Sequence, residues 1–205
     1  KISSNNDTDK KKRIISIFPG SRLSEIKVLM PILINFIKMC DKKYDDLMFV
    51  FHTTHAFKEL VQNHLINSNI KNSNVVSEEA SKKSILSQSV FAVAKSGTVS
   101  LEICNASIPS IILYKMNFIN FLIIKLLVNV KFANIINIIS NYEVIPELIQ
   151  SNCNPKNIYT KFNLFINDDN LRKQQVTECQ KVLKDLRLNI SSSKMVSEIL
   201  HKNLY

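Results

Sequence analysis

The sequence predicts an α/β domain, a parallel sheet covered by helices on both faces, followed by a helical tail. Three observations carry that prediction. Short, almost continuous apolar runs alternate with stretches of helical periodicity through the first half of the chain, the pattern of parallel strands buried on both faces. The runs end in polar, turn-forming residues that lead directly into helices. From Asn117 onward the runs give way to mostly helical spacing.

The elements follow in order. Ile14-Ile15-Ser16-Ile17-Phe18 is a strand stopped by Pro19-Gly20. Apolar residues at Leu23, Ile26, Leu29, Leu33 and Ile37 then have helical spacing, with a kink expected near Pro31. Leu47–Phe51 is the second strand, and a helix follows over about Ala56–Leu65. A short strand around Asn74–Val76 leads to a polar helix at Glu78–Ser87. Val90–Ala94 is the fourth strand, followed by Lys95-Ser96-Gly97-Thr98 and a helix to about Ala106; Ser110–Tyr114 is the fifth. Asp168-Asp169 caps a helix reaching roughly Leu186, and Ser191–Ser193 caps a last one.

Composition narrows the function classes. With 45% hydrophobic and 21% charged residues the chain is an ordinary globular one. The four cysteines have neither CxxC nor zinc spacing, which points to structural thiols in a reducing compartment and to no bound metal. Lys1–Asp9 is polar and turn-forming, as in a linker cut open, and has no apolar signal core. The net charge of +10 is spread without exposed aromatics or an RNA-binding motif, so nucleic acid is not expected. It suits an anionic membrane surface, a phosphorylated ligand, or no partner at all beyond compositional drift. The stretch Phe118–Ile139 is strongly apolar, but Lys125, Asn129, Lys131, Asn134 and Asn137 interrupt it, short of the ~18 residues of a spanning helix. A helix lying in a membrane surface, with Phe118, Phe121, Leu122 and Lys125 at its edge, and an ordinary core helix both remain open. His52 and His55, three apart after the second strand, lack a third metal ligand and read as surface loop residues. Tyr114 and Lys115 read equally as site lining and as core edge.

Glycine is the informative count. A chain of this length ordinarily carries about 14, and this one has two, Gly20 and Gly97, each directly after a strand. Ligands of open parallel sheets bind beyond the carboxyl ends of the strands, where loops enter helices. Gly20 would allow close approach there, Ser21 can donate, and Arg22 adds a forked cation for phosphate oxygens. Ser96-Gly97-Thr98 repeats the design, with Glu102 one helical turn on, able to accept both hydroxyls of a ribose.

These residues carry a resemblance. Pro19-Gly20-Ser21-Arg22-Leu23-Ser24-Glu25-Ile26 resembles the PGSR-x-x-E-[VI] segment of lipid-A-disaccharide synthases, and Ser96-Gly97-Thr98-Val99-Ser100-Leu101-Glu102 their SGT-x-x-LE segment. Pro109 with the strand into Tyr114-Lys115, Lys125–Val128, Asn137, and Glu143–Gln150 (read as the start of a helix) are similar to further family pieces in the same order. The proline before the family's asparagine is Ile136 here, basic family residues become Leu126 and Asn129, and an arginine before Glu143 becomes Tyr142.

The resemblance implies the carboxy-terminal, Rossmann-like domain of a GT-B glycosyltransferase. Such an enzyme joins UDP-2,3-diacylglucosamine to 2,3-diacylglucosamine 1-phosphate, with inversion and no required metal or other cofactor. By that likeness Gly20, Ser21 and Arg22 face the diphosphate, Ser96, Gly97 and Thr98 the nucleotide from the other side, and Glu102 the ribose. Arg22 and Asn137 would be catalytic. The domain boundaries expected are 1–11 for a linker remnant, 12–166 for the UDP-sugar-binding domain and 167–205 for the helical tail. Expected partners are the two substrates, an amino-terminal half supplying the general base, an anionic membrane surface and a second copy of the chain. The expected location is peripheral, on the inner-membrane face of a bacterial cytoplasm. A nucleotide-sugar-binding module or remnant without catalysis of its own is the alternative, and a basic peripheral membrane protein a third reading.

Overall fold

The computed structural model describes residues 12–116 and 131–189, with side chains to 186. The expected linker 1–11, most of the Phe118–Ile139 stretch and the Ser191–Ser193 cap lie outside the described residues. Six parallel strands form one sheet: β1 (Arg13–Phe18), β2 (Leu47–His52), β3 (Ser73–Val76), β4 (Ser89–Lys95), β5 (Ser110–Tyr114) and β6 (Glu147–Ile149). Their spatial order is β3-β2-β1-β4-β5-β6. The helices are α1 (Leu23–Cys40), α2 (Lys58–Asn67), α3 (Glu79–Gln88), α4 (Val99–Asn105), α5 (Ile135–Ser140), α6 (Pro155–Asn167) and α7 (Asp169–Asn189).

The strand sequences sort by period 2 into two unlike faces. Ile15 and Ile17 of β1, Phe49 and Phe51 of β2, and Phe91 and Val93 of β4 pack against α1, α2 and α6. Phe36, Phe49, Phe91 and Phe162 meet there edge to face, with centroids 5.4–6.0 Å apart. Each such pair contributes about 0.5–1.5 kcal/mol beyond its buried area. The opposite face carries Ser16, Ala92 and Ala94, small residues that let α4, α5 and α7 come close; Ile103, Ile136, Cys179, Val182 and Leu183 complete that core.

α7 is bound into this second face rather than hanging from it. Gln175, itself buried, accepts from the Ser110 amide at 2.6 Å and donates to the Ser110 carbonyl at 3.0 Å, capping the start of β5. Asp168 Oδ1 accepts from the amides of Asn170 and Leu171, the cap its sequence predicts. α1 runs through the exposed Pro31 as one helix.

One expected element changes type. Glu143–Gln150, read as a helix start, contains the edge strand β6 and then a 3-10 turn at Gln150–Asn152. β6 pairs in register with β5, Ile112 against Glu147 and Tyr114 against Ile149, and the sheet's need for a partner there overrides local propensity. All four cysteines are free and buried, and Cys153 is pushed up to about 11 by burial. No described helix is long and apolar enough to cross a membrane.

Candidate functional site

The strand order reverses direction between β1 and β4: the chain after β1 moves out toward β2, and the chain after β4 moves out toward β5. A crevice forms where two such neighbouring loops part company. Here it is a cavity of about 380 Å³. Gly20, Ser21 and Arg22 of the first loop line it, together with Ser96, Gly97, Thr98 and Glu102 from the second. The sequence therefore predicts seven residues that the fold brings to one crevice, from segments about seventy positions apart in the chain.

The first loop is closed on itself. Gly20 has φ +113°, a conformation that side chains rarely adopt. The position a Cβ would take lies 2.5 Å from Glu25 Oε2 and 2.7 Å from Glu25 Cβ. Glu25 has folded back over the glycine, and its Oε2 accepts from the amides of Ser21 (3.0 Å) and Arg22 (3.3 Å). This is half of a capping box, with the third residue of the helix satisfying the cap's own amide. Glu25 Oε1 meets Lys95 Nζ at 2.9 Å and so ties the first loop to the end of β4. Burial alone would raise the Glu25 carboxyl, but Lys95 and the two amides outweigh it and hold it below the ordinary range. The closeness that requires Gly20 is thus an internal carboxylate, where the sequence had suggested a ligand. Arg22 keeps its side chain 79% exposed, and its guanidinium approaches Glu25 only at 3.9 Å.

The second loop is open. Among the described residues nothing lies within 4 Å of where a Cβ on Gly97 would sit. Ser96 is buried and donates to the Ala133 carbonyl at 2.7 Å. Thr98 makes no side-chain cap bond to α4, and the amides of Ser100 and Leu101 donate back to the Gly97 and Thr98 carbonyls at 3.3 and 3.0 Å. Glu102 is exposed along the same wall.

Asn137 is not brought to the cavity. It is wholly buried, donates to the Ile145 carbonyl (2.7 Å) and Glu147 Oε1 (2.8 Å), and accepts from the amides of Val144 and Ile145 (2.9 Å each). An amide side chain has two donors and two acceptor lone pairs, and all four are engaged. Glu147 in turn accepts from the amides of Ala133 (2.7 Å) and Asn134 (2.9 Å). Asn137 therefore reaches the cavity only through Glu147, Ala133 and Ser96.

His52 also departs from expectation. It ends β2 and is 3% exposed, because even-numbered β2 residues turn to the same face as Ser16; its Nε2 lies 2.8 Å from Ser16 Oγ and its ring stacks on Phe18. His55, by contrast, is exposed beside Ser77. Among the described residues no three His, Cys, Asp or Glu side chains converge as metal ligands do. Tyr114 lies under Lys95, 5.9 Å from ring centre to Nζ, and Lys115 donates to the Cys153 carbonyl. The sequence reading gave no role to Glu25, Lys95, Thr53 or Lys82, although all four line the cavity. Glu25 alone had a signal, its place three residues after the Arg22 cap.

Comparison with known proteins agrees with this architecture. The family model described as lipid-A-disaccharide synthetase matches residues 1–200. The lipid-A-disaccharide synthase of a Sulfurihydrogenibium species is 36% identical over 185 residues, 86% of this chain and 48% of its own length. That of Rickettsia prowazekii is 34% identical over 194 residues, covering 95% and 50%. The chain thus spans about half the length of the curated relatives it matches. Among solved structures, S. aureus TarM in complex with UDP and two sugar ligands aligns with a TM-score of 0.62 at 12% identity, over 98% of this chain and 37% of that one. WaaG, a glycosyltransferase involved in lipopolysaccharide biosynthesis, aligns with a TM-score of 0.53 at 10% identity, over 84% and 42%. The fold is that of a GT-B glycosyltransferase domain.

Proposed function

Since the chain belongs to the lipid-A-disaccharide synthase family, we propose that it forms the donor-binding half of a glycosyltransferase that uses UDP-2,3-diacylglucosamine. The acceptor is 2,3-diacylglucosamine 1-phosphate, and the products are lipid A disaccharide 1-phosphate and UDP. One observation carries the reading: the two glycine loops converge on a single crevice at the reversal point of the sheet, with Arg22 and Glu102 exposed on its walls. The S. aureus relative of the fold was solved with UDP, which supports the ligand class.

In the reaction a hydroxyl oxygen of the acceptor bonds to the anomeric carbon of the donor, and the bond from that carbon to the β-phosphate oxygen breaks. The hydroxyl proton passes to a base contributed by an amino-terminal half. The developing charge falls on the diphosphate, and this chain acts there. The open Gly97 loop receives the diphosphate, Arg22 stabilises charge on the leaving group, and Glu102 holds the ribose. Ser96 and Thr98 border the same nucleotide. Gly20 and Ser21 shape the wall through Glu25. Asn137 serves as a positioning residue through Glu147. The net charge of +10 supports docking of the enzyme on an anionic membrane surface.

The test is calorimetric titration with UDP of the chain and of Arg22→Ala. Saturable binding weakened about tenfold or more by the substitution is the expected result. A folded chain that shows no saturable binding overturns the nucleotide reading. Transfer activity on joining an amino-terminal half separates an enzyme from a binding module without catalysis.

A further inference from the structure

The same cavity is also lined by Phe18, His52 and Thr53 and by Glu79 and Lys82 of α3. Two polar atoms there, His52 Nδ1 and Thr53 Oγ1, are buried and have no partner among the described residues. Leaving a buried polar atom unpaired costs on the order of 1–3 kcal/mol, a cost that a ligand group reaching either atom would remove.

The hydrogen-bond chain behind His52 fixes which kind of group it seeks. A backbone carbonyl can only accept, so Ser89 must donate its one hydroxyl proton to Ile85 O, 2.9 Å away. Ser16 Oγ, 2.7 Å from Ser89 Oγ, must then donate to Ser89. Ser16 is left to accept from His52 Nε2, 2.8 Å away, so the proton of the ring is on Nε2. Nδ1 is therefore a bare lone pair held in place by three relayed bonds. It repels phosphate and carboxylate oxygens, which are also acceptors, and it attracts an N–H.

We propose that His52 selects the base of the bound nucleotide, its Nδ1 accepting the imide N–H of uracil. This rests on the nucleotide reading of the cavity given above and sharpens it. The stack of Phe18 on His52, with rings 4.3 Å apart and 19° from parallel, fixes the plane of the imidazole, and a planar heterocycle lying in that plane meets Nδ1 edge to edge. The Thr53 hydroxyl supplies a donor for a carbonyl flanking that N–H. Cytosine, whose ring nitrogen at the same place is itself an acceptor, meets lone pair with lone pair and is rejected. A site built to pair a ligand N–H discriminates strongly against analogues lacking it.

The experiment titrates the full chain with UDP, 3-methyl-UDP and CDP. UDP is expected to bind about tenfold or more tightly than either of the others. His52→Gln retains a nitrogen that reaches Ser16 and loses the Nδ1 acceptor; the preference is expected to fall to about one. His52→Asn keeps an acceptor near the place of Nδ1 and is expected to retain the preference, which a merely structural role would not. Nitrogen-15 NMR of the wild-type imidazole adds a readout free of any variant, with the Nδ1 resonance moving on addition of UDP and not of 3-methyl-UDP. Equal affinity of the wild type for UDP and 3-methyl-UDP, or a preference that survives in folded His52→Gln, overturns the role of His52 and leaves the nucleotide reading standing. Absence of any UDP binding overturns both.

Discussion

The two glycine loops look alike in sequence and differ in what they contain. At Gly20 the space beside the backbone is filled from within by Glu25, which occupies the amides of Ser21 and Arg22 and reaches Lys95. At Gly97 no described residue fills that space, and the glycine lines the cavity. An internal carboxylate on the first loop takes the donors that a phosphate would want, so the two loops divide the labour. The first is a brace carrying Arg22, and the second is the cradle of the proposed nucleotide. A glycine can be required by the fold or by the ligand, and only the neighbours of its missing Cβ tell which.

Substitutions break this contrast in graded ways. Gly20→Ala combines a strained positive φ with a collision against Glu25, and is expected to cost about 3 kcal/mol in urea unfolding. A loss below ~1 kcal/mol would show that Glu25 moves aside freely. Glu25→Gln keeps the shape and removes the charge facing Lys95, with an expected loss of about 1–2 kcal/mol. Gly97→Ala is expected to change stability by less than ~0.5 kcal/mol, since its Cβ enters open space. The same Cβ intrudes on a bound diphosphate, so UDP affinity should fall about tenfold, or 1.4 kcal/mol. Unchanged affinity would move the cradle elsewhere.

Acid titration gives a smaller effect that separates the brace from the cradle again. The Glu25 carboxyl is held below its ordinary value of 4.5, so the stability it contributes is fully present above that value. It is lost as pH falls through the lower folded value. Stability curves of wild type and Glu25→Gln, measured from neutral pH into this range, should converge; curves that stay parallel would remove the brace. His52 adds a window of its own. Burial pushes it from 6.5 down to about 4, so the unfolded chain takes up the proton first and stability declines as pH falls from 6.5 toward 4.

Five strands were legible, four of them because each is a near-continuous apolar run, and parallel strands covered on both faces need nothing subtler. β6 was not. It has three residues, contains the charged Glu147, and exists because β5 requires a neighbour, which no local pattern encodes. The convergence of Arg22, Gly97 and Glu102 was legible because strand ends and glycine positions mark the crevice in any sheet of this order. The plug at Gly20 was not, since it depends on a backbone angle and on one rotamer of Glu25. Asn137 was placed at the active site by likeness alone, while in the fold its four bonds all point inward. His52 was taken for a surface loop residue because it follows the apolar run of β2 and has no third metal ligand beside it; strand parity, once the end of β2 is known, turns it inward.

The clamp that Gln175 places on Ser110 has a consequence for how the molecule comes into being. The first amide and carbonyl of β5 find their partner 65 positions later in the chain. During vectorial synthesis the aromatic face can close as soon as α6 has emerged, whereas the face of small residues is covered only in part, by α4 and α5, until α7 follows. At an elongation rate of roughly 5–20 residues per second, that leaves an apolar surface exposed for a second or more. The nascent chain is most vulnerable to aggregation in this interval, and a ribosome stalled between α6 and α7 would display a half-finished sheet to whatever chaperone is nearest.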